Sequence, residues 1–401
     1  MALTAYALAF LADAKAFLPV DEDRVKQARE WLAKQKTEEP AANALRISGL
    51  VRWRLKESAD LDRQLGELAR KAVEFGDPYA MAAYALAALE ANKAELAGPV
   101  IEQLGRMAQD ERGAAYWALR VNTPYHGWGR AGQVETTALV VSALARWRKA
   151  GQGDAALNTL IDRGALFLLQ NSSGGGAWAT SQATVRALVA LLDTWNRDDD
   201  ARAAQVEVRV NGSSAGTVPL PAGRTVRGPL VVDVSRWLRA GANEVSLSGF
   251  APRAQQVQLT AAWYEPWGPQ RPAKELDMQV RYGTLAAAVN QPVACDVAIS
   301  RPSFRGYGMM IAEIGLPPGA DVDRGVLEDI VSDATSGVDS YEVAPDHVTF
   351  YVWPRAADVK FRFLFRPRFQ MKARAAQSVL YDYYNPDARV ALAPGSFVVG
   401  R

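Results

Sequence analysis

Tyr125-His126-Gly127-Trp128-Gly129-Arg130 is the most site-like segment of the chain: aromatic, glycine-rich, and carrying the only histidine of the N-terminal half. At a helix end on the concave face of a helical ring, such a loop would sit where ligands bind. Tyr125, His126 and Trp128 are therefore the candidate site residues, with a merely packed loop as the alternative. Cys295, the only cysteine, lies in the alternating run Pro292–Ile299 and reads as a structural thiol. With His126 and His347 far apart, one cysteine leaves no zinc-ligand spacing. No metal and no cofactor are expected, and no disulfide framework forms from a single thiol.

Two charged stretches imitate sites. Asp198-Asp199-Asp200 would need to face an apolar cavity to protonate a substrate or hold a metal. Beside Arg197 and Arg202 they read as a solvated linker. Arg362, Arg366, Arg368, Lys372 and Arg374 interleave with Phe361, Phe363 and Phe365, as in a nucleic-acid stacking surface. Period two instead turns the three phenylalanines inward and Arg362, Leu364 and Arg366 to the other face, so a sandwich strand is expected. The net charge of +2, from 46 basic and 44 acidic residues, carries no nucleic-acid or membrane footprint.

The elements that must position these residues divide near residue 200. At 401 residues the chain exceeds one compact core. Before the break, Ala and Leu recur at helical spacing in Leu3–Ala14, Ala80–Glu90, Thr136–Trp147 and Ser181–Trp195. The charged partners Glu22–Gln35, Arg63–Phe75 and Leu157–Gln170 lie between them. The contrast predicts an inner and an outer layer, a partial α/α toroid of helical hairpins. About seven or eight helices are too few for a closed ring of six hairpins, which predicts that Met1 falls inside a domain. Met1–Leu11 has no basic flank, and Asp13 and Lys15 follow, so a core helix is expected and not a signal peptide. No apolar run approaches the roughly 18 residues of a membrane span.

After the break, period-two alternation predicts two antiparallel β-sandwich units. The first takes Val206–Val210, an Asn211-Gly212 turn, Ala215–Leu220, Leu230–Val234, Asn243–Leu247 and Val257–Tyr264. The proline-rich segment 266–272 is a stiff linker. The second takes Leu276–Tyr282, Val293–Ser300, Gly308–Gly315, Val348–Val352, Val359–Arg366 and Ser378–Tyr384, with a helix at Asp323–Val331 capped by Asp321 or Asp323.

Several of these segments resemble the alpha-2-macroglobulin and complement family, of bacterial type. Met1-Ala2-Leu3-Thr4-Ala5-Tyr6-Ala7-Leu8 resembles the "LTAF/Y-x-L" helix of its thioester domain. Val134-Glu135-Thr136-Thr137-Ala138-Leu139 resembles its "VE-x-T-S/A" helix, and Gly175–Thr184 its "GGF/W-x-S/T-T-Q" turn. Gly308–Gly319 resembles the "M-x-I-x-E-I-x-L-P-x-G" strand of the receptor-binding domain, and Val379-Leu380-Tyr381-Asp382-Tyr383-Tyr384 its terminal "V-x-V-Y-D-Y-Y" strand. The resemblance implies residues 1–199 as part of a thioester-type domain, 200–266 as the C-terminal part of a CUB-like domain and 274–401 as a receptor-binding-like sandwich. It implies a non-catalytic protease-trap scaffold acting outside the cytoplasm, whose partners are target proteases and upstream macroglobulin domains. The Cys-x-Glu-Gln thioester of the family is absent here, since Ala298 stands three residues after Cys295. The thioester and the protease-cleaved bait region are expected upstream of Met1. Two other functions fit the coarse pattern: a toroid polysaccharide lyase or hydrolase with β carbohydrate-binding modules, and a binding module in the final sandwich.

Overall fold

The structure, a computed structural model, describes residues 1–53, 59–173, 176–194, 204–220, 230–249, 257, 259–263, 266–267, 275–302, 308–353 and 358–401. The chain divides into two compact units, residues 1–194 with 266–401, and residues 195–265.

In the larger unit the helices are α1 (Ala2–Ala14), α2 (Glu22–Lys34), α3 (Pro40–Val51), α4 (Ala59–Phe75), α5 (Pro78–Glu90), α6 (Ala94–Arg106), α7 (Gly129–Lys149), α8 (Ala155–Gln170) and α9 (Ser181–Thr194). The odd-numbered helices pack in a row, α1 on α3, α3 on α5, α5 on α7 and α7 on α9. Each even-numbered helix from α2 to α8 lies against its two odd neighbours. This is the layered α/α arrangement of a partial toroid. Alanine makes the inner row possible: with so little side chain on Ala80, Ala82, Ala83, Ala85, Ala87 and Ala88, α5 is buried almost all round and its neighbours approach closely. The outer helices are amphipathic. In α6, Ala97, Val100, Ile101 and Leu104 form the buried i, i+3, i+4, i+7 stripe, and each large member stabilises by about 1.5–3 kcal/mol.

Local signals set the helix starts. Asp21 accepts the amides of Asp23 and Arg24, each at 3.1 Å, and Asp154 accepts that of Leu157 at 3.0 Å. Thr180 caps α9 through the Ala183 amide at 3.1 Å. Two helices escaped the sequence pattern. α3 is an inner helix opened by Pro40, and α6 is an outer helix that carries Pro99 in its interior. A proline at that position ordinarily signals a break.

A short hairpin, β1 (Gln109–Glu111) with β2 (Ala114–Tyr116), joins α6 to α7. Trp117 follows it, fully buried, and its indole Nε1 donates to the Leu104 carbonyl at 2.7 Å.

The C-terminal part of this unit is a sandwich. Its strands are β6 (Asp277–Tyr282), β7 (Ala286–Ala288), β8 (Val293–Ser300), β9 (Met310–Gly315), β10 (Ala320–Val322), β11 (Val338–Val343), β12 (His347–Val352), β13 (Asp358–Pro367), β14 (Met371–Arg374), β15 (Ser378–Asp382), β16 (Asn385–Leu392) and β17 (Ser396–Gly400). One sheet runs β10-β13-β8-β6, the other β11-β12-β9-β15-β16, and a small third runs β14-β17-β7 with β17 and β7 parallel. Phe361, Phe363 and Phe365 of β13 point into the core with Phe350 and Phe397, whereas Arg362 is exposed and paired with Asp296 at 2.5 Å. Arg362 and Arg366 of the basic stretch lie on the other face of β13 from the phenylalanines, and Lys372 and Arg374 belong to β14. Helix α10 (Arg324–Ser332) is capped by Asp323, which accepts the Val326 amide at 3.4 Å.

Residues 195–265 hold a three-stranded antiparallel sheet, β18 (Ala204–Val210), β19 (Ser213–Leu220) and β20 (Val245–Ser248), with β18 in the centre. Asn211 and Gly212 form the expected turn at φ +51° and +81°. Val232, Val234 and Trp237 cover one face. Leu230–Val234, expected as a strand, lies outside the ladder. Both edges of β18 are already paired, and the Asp233 carboxylate accepts the Ser235 amide at 2.9 Å, turning the chain into a 3-10 turn at Ser235–Trp237. The described part of Val257–Tyr264 also lies outside the ladder. The Asp198–Asp200 run lies outside the described residues.

Candidate functional site: a loop between two buried polar clusters

The loop that leads from Trp117 into α7 carries the candidate residues Tyr125, His126 and Trp128. It is fixed at its start by Asp77, the cap of α5, whose carboxylate accepts the amides of Ala80 at 3.1 Å and Arg120 at 2.8 Å. A tight turn follows, with the Thr123 amide donating to the Gly127 carbonyl at 2.9 Å and the His126 amide to the Thr123 carbonyl at 2.8 Å. His126 sits in the left-handed region at φ +68°. Two glycines are required by contact. A Cβ on Gly127 would stand 2.8 Å from Glu135 Oε1, and one on Gly129 would stand 2.3 Å from Asn385 Nδ2.

One side of the loop closes a buried polar cluster among the inner helices. Glu135 of α7 is 1% exposed. Burial pushes its carboxyl up to about 7, against the opposing pull of a Thr123 hydrogen bond and the Arg186 charge. Arg186 of α9 faces Tyr79, Tyr125, Glu135 and Tyr6, which together hold its charge against the cost of burial. Burial raises Tyr79 well above the usual phenol range, and raises Tyr125 as well. Tyr6 of α1 meets the Tyr125 ring edge-on at 5.8 Å. Among the described residues, Glu135 Oε2, Tyr79 Oη, Gln182 Nε2 and Arg186 Nε are buried without a hydrogen bond inside the chain.

The other side of the loop enters the sandwich. Trp128 Nε1 donates to Asp382 Oδ1 at 3.0 Å, and the same oxygen accepts the amides of Tyr384 at 2.8 Å and Asn385 at 3.0 Å. Asp382 Oδ2 takes Arg301 at 2.6 Å, both side chains being almost wholly buried. Burial raises the Asp382 carboxyl, opposed by Trp128, Arg301 and the two amides. The His126 ring meets Tyr384 edge-on at 5.4 Å.

The structure thus brings the three candidate residues to one loop but faces them differently: Tyr125 toward the helical cluster, His126 and Trp128 toward the sandwich. Sequence reasoning did not single out Glu135, Arg186 and Tyr79, or Asp382 and Arg301, as site residues. One signal was present, a lone glutamate in the otherwise uncharged run from Val134 to Ala145. The chemistry available is that of polar groups closed from solvent, paired at Asp382–Arg301 and only partly hydrogen-bonded around Glu135. Cys295 lies apart in β8, fully buried, and burial pushes its thiol far above the usual range. Among the described residues no three His, Cys, Asp or Glu side chains are grouped to hold a metal ion, and no helix is long and apolar enough to cross a membrane.

Layered helices docked on a C-terminal antiparallel sandwich define the class. Family models then identify its two parts: an A-macroglobulin TED domain matches residues 54–193, and an A-macroglobulin receptor binding domain matches residues 306–392. The chain belongs to the alpha-2-macroglobulin family. Solved structures share the fold. Native alpha-2-macroglobulin from Escherichia coli, spanning domain MG7 to the C-terminus, aligns over 100% of this chain and 63% of its own at 12% identity and TM-score 0.62. The native conformation of the whole E. coli protein gives TM-score 0.63 at 12% identity, over 100% of this chain and 25% of that one. Salmonella alpha-2-macroglobulin reacted with methylamine gives 0.60 at 16% identity, over 100% and 26%. The chain therefore spans about a quarter of the length of the longer relatives. No curated protein sequence matches it.

Proposed function

We propose that this chain is the non-catalytic frame of a protease trap. The observation that carries the proposal is the order of the two family domains, with the helical part seated on the sandwich by a buried Trp128–Asp382–Arg301 contact. In this reading residues 1–199 belong to a thioester-type domain, 200–266 to the C-terminal part of a CUB-like domain and 274–401 to a receptor-binding-like domain. The frame works within a longer bacterial protein outside the cytoplasm, whose partners are the captured proteases and its own upstream macroglobulin domains. Residues 1–401 supply no Cys-x-Glu-Gln thioester, since the one cysteine is followed by Asp296, Val297 and Ala298, and in this reading the bait also belongs to the rest of the longer protein. His126 and Trp128 serve in seating the two parts and Tyr125 in closing the helical cluster, none of them in binding a small ligand.

Protease capture tests the proposal. The longer protein is incubated with trypsin and run on a native gel. The expected result is a shifted complex that contains the protease, lost when residues 276–401 are deleted. An unshifted protease with the intact longer protein overturns it.

A further inference from the structure

The loop at 123–129 touches both buried clusters. Thr123 hydrogen bonds the Glu135 carboxyl while its hydroxyl also accepts the Gly127 amide at 2.9 Å. Two residues on, Gly129 lies against Asn385, and Trp128 between them reaches Asp382. The turn that covers Glu135 is thus the same one that carries His126 and Trp128 to the sandwich.

We propose that this loop is a joint whose seating is set by the proton on Glu135: neutral Glu135 keeps the helical part docked on the sandwich, and its ionisation loosens that contact. The groups that face Glu135 are known from each packed element. Among the described residues the charged one is Arg186 of α9, and the titratable ones are Tyr79 of α5 and Tyr125 of the loop. Tyr6 of α1 stands behind Tyr125, and Asp77 acts on Tyr79. Arg186 favours the carboxylate, yet it is shared with two phenols, and burial prevails. An ionised carboxylate in that setting gains most by reaching water. The loop is its cover, because the Thr123 hydroxyl hydrogen bonds the Glu135 carboxyl and a Cβ on Gly127 would stand 2.8 Å from Glu135 Oε1. The joint is a property of residues 1–401 alone and stands or falls independently of protease capture.

Hydrogen exchange of the full chain tests it. Protection of the His126 and Gly127 amides and of the Tyr384 and Asn385 amides is followed from pH 5.5 to 8.5, corrected for the intrinsic rate. From pH 5.5 to about 7 both pairs should lose protection together, by about tenfold per pH unit, and level off above it. Glu135→Gln should hold both pairs flat. Asp382→Asn should keep the response at 126–127 and lose it at 384–385. Protection that is flat with pH in the wild type, a response that survives Glu135→Gln, or a loop response without the sandwich response overturns the proposal. Should Glu135→Gln not fold, the co-variation in the wild type and its uncoupling in Asp382→Asn decide the matter.

Discussion

Trp128 and Asp382 stand 254 residues apart in the chain and meet in a buried hydrogen bond of 3.0 Å. The contact is polar and specific. It couples a loop of the helical part to the end of β15, and the same carboxylate compensates the buried Arg301 at 2.6 Å. The carboxylate is what answers the buried charge of Arg301.

Removing that carboxylate strands a buried guanidinium. Asp382→Asn should cost about 3–5 kcal/mol, and Trp128→Phe, which removes one donor, about 1–3 kcal/mol. Urea unfolding of the full chain measures both as a lowered midpoint. The double variant should fall short of the sum, since the two residues share one interaction.

The sign of the pH dependence follows from Glu135. Its carboxyl stands at about 7 in the fold and near its ordinary value of 4.5 when unfolded. Between those values the folded state binds the extra proton, so the contribution is full below about 4.5 and is lost as pH rises through about 7. Glu135→Gln should flatten this part of the stability–pH curve, read as thermal midpoints across pH 5 to 8.

Two glycines should respond oppositely to alanine. Gly66, an exposed position inside α4 with open space where a Cβ would go, should gain about 0.4–1 kcal/mol. Gly129, at φ +56° and against Asn385, should lose about 1–3 kcal/mol. Paired unfolding curves distinguish them.

The Cys295 thiol should be unreactive in the fold, being fully buried with its ionisation suppressed by burial. Thiol labelling should proceed only at the rate of unfolding, and speed up in urea.

Much of the fold was legible because its signals are local. Alternation in β8 and β13 fixed the inward phenylalanines, and Asp323 announced α10. Helices α3 and α6 were hidden by Pro40 and Pro99, which carry the same signal whether a helix begins, continues or breaks. Short strands such as β7 and β10 are defined by pairing with distant strands, which no local period reveals. The loop at Tyr125–Trp128 stood out by its composition. Its partners did not, because Asp382 and Arg301 are paired across 81 residues and Trp128 reaches Asp382 across 254. Glu135 stands out only as the lone charge of its run, and Arg186 looks like an ordinary surface charge until the inner row of helices closes around it.

The most direct measurement is inhibition of trypsin acting on a protein substrate by the longer protein to which the proposed function assigns this chain. The account predicts that stoichiometric amounts suppress cleavage, while residues 1–401 alone leave it unchanged and form no covalent adduct with the protease. Unimpaired cleavage in the presence of the longer protein, or inhibition by residues 1–401 alone, would contradict it.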